Sequence, residues 1–512
     1  MKKKLLTILM TLCLVATFMP IYTGAAFAAT EGTAIATADD LKAMESNPSG
    51  SYYLAKDIDV PANLCMFTEN APFTGTLDGN GHALNGITFT SGKGNTGLFK
   101  NATGATFKDL TLKDVNVNIS TNYITFGTLV GYATDCTLSG ITVTGNITVD
   151  ASGEESSFAV CGLAGYLGGK SKLADCHNKA DIKGSTTGGQ YSNGGTVCGL
   201  ARGLYNIDIS KCTNSGELTV NASGLGFGSS GVYAYGIASG YVVNATSCKN
   251  SGNVAVNVKN CNSSALADGI TVTGMGNDVQ KLTSCSNTGK ITLNSCDIRG
   301  EIYVAGLATL AQYTVSKCYN KGAINVTTGK FSDSNCKEVG GLVCSGVSRP
   351  SNASFSQSYN KGNITVNTSA DTGHNVGGLA GMLYQMSDCY NAGKITLNGN
   401  GNVGGLAGTG YTTGKSTITK SYSSGKVVGT KGASKGALLG YYSGSFARKI
   451  YNNYYTGSTK PYGRSDITWK AYVAKATKVS SFTASKCPKL SSKYWTYSSK
   501  YKRLILKNNK EA

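Results

Sequence analysis

Apolar residues fall on every second position in short runs along most of this chain, and glycine bounds the runs. Ile291 and Leu293, Ile324 and Val326, Ile364 and Val366, and Ile395 and Leu397 each alternate with threonine or asparagine. A period of two marks a strand that buries one face. Runs this short cannot make a core alone, so the pattern predicts many strands stacked into a shared, narrow one. Near the N-terminus the period changes. Thr37 to Met44 reads as a short helix, with Thr37 as N-cap, Asp39 and Asp40 in the first turn, and Leu41 and Met44 on one face. It is placed to cover the open end of a stacked sheet. In Phe107 to Val117, Leu110, Leu112, Val115 and Val117 can all point inward only if the chain kinks near Lys113-Asp114.

The runs belong to a repeat with two landmarks. The first is Gly-Leu-Ala-Gly, seen at Gly162–Gly165, Gly378–Gly381 and Gly405–Gly408, and as Gly199-Leu200-Ala201, Gly306-Leu307-Ala308 and Gly341-Leu342-Val343 elsewhere. The second is Cys-x-Asn-x-Gly, beginning at Cys176, Cys212, Cys248, Cys285, Cys318, Ser358, Cys389 and Ser421, with weaker copies at Cys136 and Asn453. Successive copies lie 31 to 40 residues apart, a period of solenoids and propellers. An asparagine two residues after each of seven landmarks, from Asn178 to Asn391, predicts a ladder of stacked amides at a bend. The glycines that follow, Gly216 to Gly425, would open the corner. That selects a solenoid. About ten coils at roughly 4.8 Å each make a rod on the order of 50 Å long.

These landmarks, with Thr76-Leu77-Asp78-Gly79-Asn80-Gly81-His82 before them, resemble the GLUG repeats of secreted bacterial proteins across roughly Thr37 to Tyr455. The resemblance implies an all-β, right-handed parallel β-helix similar to the pectin-lyase-like class. GLUG repeats occur in cell-surface proteins and beside protease domains, but the sequence has no His-Glu-x-x-His motif. The expected organisation is an export segment (1–28), an N-terminal cap with the first coils (29–125), the repeats (126–460) and a basic C-terminal β cap (461–512). Trp469, Trp495, Tyr497, Tyr501, Leu504 and Leu506 belong to that tail.

Composition sharpens the picture in three ways. Lys2 to Lys4, an apolar core from Leu5 to Met19 and Ala26-Phe27-Ala28 read as a signal peptide cleaved after Ala28. No later stretch is apolar and long enough to span a bilayer, so no transmembrane segment is expected after cleavage. The formal charge of +19 then becomes 19 − 3 = +16, which suits an anionic wall polymer or acidic glycan, or simple solubility. Lysines are spread through the repeats without an arginine–aromatic stripe, which argues against nucleic acid. Sixteen cysteines less Cys13 leave fifteen. Seven share the Cys/Ser phase, where serine also serves. A small, inward-facing residue explains both better than disulfides, and a reduced ladder is expected.

Chemistry is sparse. No close-spaced metal set such as Cys-x-x-Cys occurs, and no cofactor site is expected. His82, His177 and His374 are far apart, and no Ser-His-Asp or Gly-x-Ser-x-Gly pattern appears. Asp78, Asp109 and Asp114 are the one noticeable carboxylate group, and turn or corner roles explain them. The expectation is therefore a non-enzymatic, exported adhesin binding a glycan or a host or surface protein. A polysaccharide lyase or glycoside hydrolase is the alternative, and a passive spacer the third reading. The candidate contacts are Tyr319, Tyr359, Tyr390 and Tyr422, which share one phase and form either an open stripe or cross-coil packing. Lys493, Lys500, Lys502 and Arg503 in the basic tail join them, as a charged contact or a solvated edge.

Overall fold

The computed structural model describes residues 32–189, 194–203, 207–226, 231–261, 266, 269–330, 337–345, 353–369, 373–411, 417–430, 432–443, 449–466, 474–509 and 511. The expected export segment and Trp469 lie outside them. The chain is a parallel β-solenoid. One coil shows the plan. His374–Gly377 lies on a first face, Ala380–Leu383 and Gln385–Ser387 on a second, and Tyr390–Asn391 and Ile395–Asn398 on a third. Each strand pairs in register with its counterpart one coil on, as in Val376 with Val403, Ala380 with Ala407 and Ile395 with Val427. The first face holds eleven described strands, from Gly94–Thr96 to Ala433–Gly436.

At the N-terminus the helix spans Ala38–Ala43. Thr37 Oγ1 accepts from the Asp40 amide, and the Asp40 carboxylate accepts from the Thr37 amide. Leu41 and Met44 are fully buried. The predicted kink is present: the strand Thr111–Thr121 shifts register between Leu112 and Val115, and Asp114 takes φ 53°. Both halves of that strand thereby keep their apolar side chains inside.

The asparagine ladder runs unbroken from Asn178 to Asn391. Each Nδ2 donates to the next coil's Oδ1 at 2.7–2.8 Å. Its second hydrogen goes to the carbonyl two residues on, as from Asn287 to Gly289 at 2.8 Å. All seven side chains are shut off from solvent, so this pairing is what makes their burial tolerable. The backbone bend lies elsewhere than expected. The left-handed residue is the one before the Cys/Ser landmark, including Asp175, Lys211, Ser247, Lys317 and Asp388, whereas the asparagines sit in strands.

The two landmarks are halves of one contact. The first glycine of Gly-Leu-Ala-Gly faces the asparagine across the flattened coil. A β-carbon on Gly306 would lie 2.7 Å from Asn320 Cγ, and one on Gly341 2.7 Å from Asn360 Cγ. The following leucine carries the corner, with Leu342 N donating to Leu379 O and Leu379 N to Leu406 O at 2.9 and 2.8 Å. The Cys/Ser exchange has an equally local cause. Cys212, Cys248 and Cys389 thiols donate to the carbonyl two residues back at 3.3–3.5 Å. Ser358 and Ser421 make the same bond at 2.7 and 2.9 Å. The fourteen cysteines among the described residues are all thiols.

The tail departs from the expected end cap. Trp495–Ser498 and Arg503–Leu506 form an antiparallel hairpin whose contacts run along the flank of the coils. Asn509 Nδ2 donates to Cys318 O and Gln357 O, Trp495 Nε1 donates to Asp388, and the Lys489 amide donates to Tyr454 Oη.

Candidate functional site

The flank hairpin decides the fate of the predicted tyrosine stripe. Tyr319, Tyr359, Tyr390 and Tyr422 do stack, with ring centroids 5.0–5.2 Å apart and nearly parallel planes. Tyr359, Tyr390 and Tyr422 have no exposed surface. Phe482 and Trp495 lie on Tyr422, with centroids 4.1 and 5.5 Å away. Tyr390 Oη donates to Glu511 at 2.6 Å and Tyr422 Oη to Leu504 O at 2.5 Å. The open stripe is thus corrected to cross-coil packing beneath the tail; only Tyr319 remains half-exposed, with Lys321 over its ring. Arg503 is likewise spent within the protein, 2.7 Å from Glu511, whose other oxygen meets Lys361 at 3.0 Å. Lys493, Lys500 and Lys502 are exposed, the first two against Tyr494 and Tyr501. The acidic trio has turn and corner roles: Asp78 pairs with Lys108 at 2.8 Å, and Asp109 and Asp114 are left-handed corners.

A different site emerges at the corner between the first and second faces. The last residue of Gly-Leu-Ala-Gly points outward there, against the backbone of the first face. A β-carbon on Gly165 would lie 2.9 Å from the Phe126 carbonyl carbon. On Gly381 it would meet the first-face Glu338 Cβ at 2.9 Å and Asn375 O at 3.0 Å, and on Gly408 the Val376 nitrogen at 2.5 Å. Glycine therefore lets the two faces close on each other. In five consecutive coils between these regions the position is Arg202, Ser239, Asn277, Thr309 and Cys344. At the first four the corner opens into a cleft of about 370 Å³, whereas Cys344 is buried and takes no part in its lining.

The cleft is built from outward positions on both faces. Thr196, Tyr233, Thr271 and Tyr303 form a register column on the first face. They alternate with Val197, Ala234, Val272 and Val304, which point into the core. Thr196, Ser239, Thr271 and Thr309 are largely buried although they face outward, because the corner is concave. Cys161, Cys198 and Tyr235 pack together as a separate cluster beside it, and burial holds the Tyr235 hydroxyl neutral. Arg202 is half-buried in the lining, near these three side chains, and makes no ion pair among the described residues. At the far end Tyr303 Oη donates to Glu301 at 2.7 Å. The next residue of the column, Glu338, is buried, and that burial with the Glu301 charge pushes its carboxyl up to about 8. Glu338 and the buried Cys344 follow Tyr303 and Thr309 in their two columns, one coil beyond the lining of the cleft.

Sequence reasoning missed this cleft. Its signal was the absent fourth glycine after Ala201 and Ala308, visible only as a shorter landmark.

Residues 26–145 match the family described as the M26 IgA1-specific metallo-endopeptidase N-terminal region. No curated protein matches the chain. Metallo-endopeptidase chemistry calls for a metal, and the described residues do not fit one. His82 Nδ1 has Asp57 at 3.2 Å, His177 Nε2 has Asp175 at 3.4 Å, and His374 is buried beside Lys337, whose charge opposes a cation. These lie in separate coils, and no group of three or more metal-binding side chains comes together among the described residues. Nor is any described helix long and apolar enough to cross a membrane. The family match overturns two expectations, the non-enzymatic adhesin and the absence of an enzyme role: the N-terminal quarter of this β-solenoid is similar to a region of a peptidase family.

Proposed function

We propose that this chain serves a secreted metallo-endopeptidase system as the region that engages the protein substrate. Its GLUG-type repeats form the shaft, and the opened corner receives a segment of the substrate. The match of residues 26–145 to the M26 N-terminal region carries the reading. The cleft adds support. It is polar, reachable from outside and parallel to the solenoid axis. Four coils at about 4.8 Å span about 14 Å, the length of roughly four extended residues. An export segment at residues 1–28 suits an extracellular substrate.

The description of the matched family names IgA1, which makes IgA1 the first substrate to try. The test compares medium from cells secreting the full chain with medium from cells in which its gene is deleted. IgA1 heavy chain should yield fragments in the first medium only, and a chelator should abolish them. IgA1 left intact in both media overturns the reading.

A further inference from the structure

We infer that the opened corner is a subsite for an acidic residue: Arg202 receives the carboxylate of a Glu or Asp side chain from an extended polypeptide, and the surrounding hydroxyls hold the adjoining chain. This rests on the proposed role in substrate engagement and names the substrate feature that the cleft selects.

Arg202 carries the argument. A guanidinium presents five donors in a plane and no acceptor, and it stays charged at any working pH. Here it is half-buried in a concave site without a carboxylate partner among the described residues. Such a cation loses hydration without recovering it from the protein, so an incoming carboxylate gains a charge-assisted, bidentate contact. The contrast with Arg503 is direct, since that residue is already paired with Glu511 at 2.7 Å. The cleft is also polarised. Glu301 occupies the opposite end, bonded to Tyr303, and repels a second carboxylate there. An acidic group is therefore steered toward Arg202.

Between the two ends, Thr196, Ser239 and Thr271 offer hydroxyls that donate or accept, while the Thr309 Oγ1 is shut off from the surface. Neighbouring strands repeat at about 4.8 Å, so they follow a chain laid along the axis. Tyr235 is only 3% exposed, while Tyr233 and Tyr303 are half-exposed in the lining. The column of hydroxyls along the axis suits the backbone of a polypeptide, and an acidic sugar is the competing occupant that the test below separates.

The test uses fluorescein-labelled hexapeptides of serine and threonine with one central Glu, Gln or Lys, titrated against the full chain by fluorescence polarisation. The Glu peptide should bind at least tenfold tighter than the Gln peptide, with the Lys peptide weakest. Arg202→Gln should abolish the Glu/Gln difference, Arg202→Lys should retain part of it, and Lys500→Ala should leave it unchanged. Equal binding of the Glu and Gln peptides overturns the inference. So does discrimination that survives Arg202→Gln with an unchanged melting temperature, or displacement by glucuronate without any peptide binding. The two readings fail separately. Chelator-sensitive IgA1 fragments without Arg202-dependent peptide binding remove the subsite and keep the function. Arg202-dependent binding with intact IgA1 does the reverse.

Discussion

The coils around Gly381, Gly408 and Gly440 and the coils carrying Arg202, Ser239, Asn277 and Thr309 share one core and their left-handed corners; the asparagine ladder reaches Asn391 in the Gly381 coil, and Ser423 and Tyr455 take its place in the next two. They differ at one outward position per repeat. Where it is glycine, the second face lies against the backbone of the first, as at Gly440, whose β-carbon would sit 2.5 Å from the Val403 nitrogen. Where it is Arg202, Ser239, Asn277 or Thr309, the corner gapes and polar groups line it, and the buried Cys344 marks the return to the closed form. A repeat protein can thus place a site without altering its scaffold, because one position is independent of the inward packing.

Losing a ladder asparagine should have the largest effect within this comparison, and should not distinguish the two regions. Asn287→Ala, in the open stretch, removes the bonds to Asn320 and Gly289 and strips Asn250 of its acceptor. Asn360→Ala does the same beside the closed stretch. Each should cost roughly 2–4 kcal/mol in urea unfolding. A large gap between the two values would show that the coils differ in more than their outer corner.

The boundary between the regions should respond to pH. Glu338 has its carboxyl pushed up to about 8 by burial and Glu301. Below about pH 4.5 folded and unfolded chains both hold the proton. As pH rises toward 8 the unfolded chain releases it first, so this stability contribution falls and is fully lost above about 8. His374, held down to about 4 by burial and Lys337, acts oppositely: its contribution is complete above about 6.5 and lost as pH falls toward 4. Glu338→Gln isolates the first effect. Relative to the parent, its melting temperature should rise steadily between pH 4.5 and 8, and a flat difference would contradict the burial argument.

The flank hairpin lies beside the closed coils and should give the smallest effect. Glu511→Gln weakens its ties to Arg503, Lys361 and Tyr390. Trypsin should then cut near Lys500 and Lys502 several-fold faster, while the solenoid unfolds at an almost unchanged urea concentration. Loss of the whole fold would mean that the tail stabilises the coils globally.

Much of this architecture was legible in the sequence because its causes are local. The alternation in Ile364 to Val366, the asparagine phase, the cap at Thr37 and the kink beside Asp114 each depend on neighbours in the chain or on the same position one coil away. The buried tyrosines were not legible, because their cover comes from Phe482 and Trp495, far along the chain and outside the repeat. The cleft required knowing that the fourth residue of Gly-Leu-Ala-Gly faces the backbone of another strand. The peptidase connection was hidden for another reason: the matched region, 26–145, carries no peptidase motif and mostly precedes the clear repeats.

The most direct test of the corner account is the paired unfolding free energy of Arg202→Gly and Gly408→Arg. The first exchanges an outward side chain for glycine and should stay within about 1 kcal/mol of the parent. The second places a β-carbon 2.5 Å from the Val376 nitrogen and 2.7 Å from the Asn375 carbonyl carbon. It must force the two faces apart, costing about 3 kcal/mol or more. Equal losses in both variants, or a Gly408→Arg protein as stable as its parent, would contradict the claim that the closed corner at Gly408 has no room for a large side chain at this position while the open corner at Arg202 does.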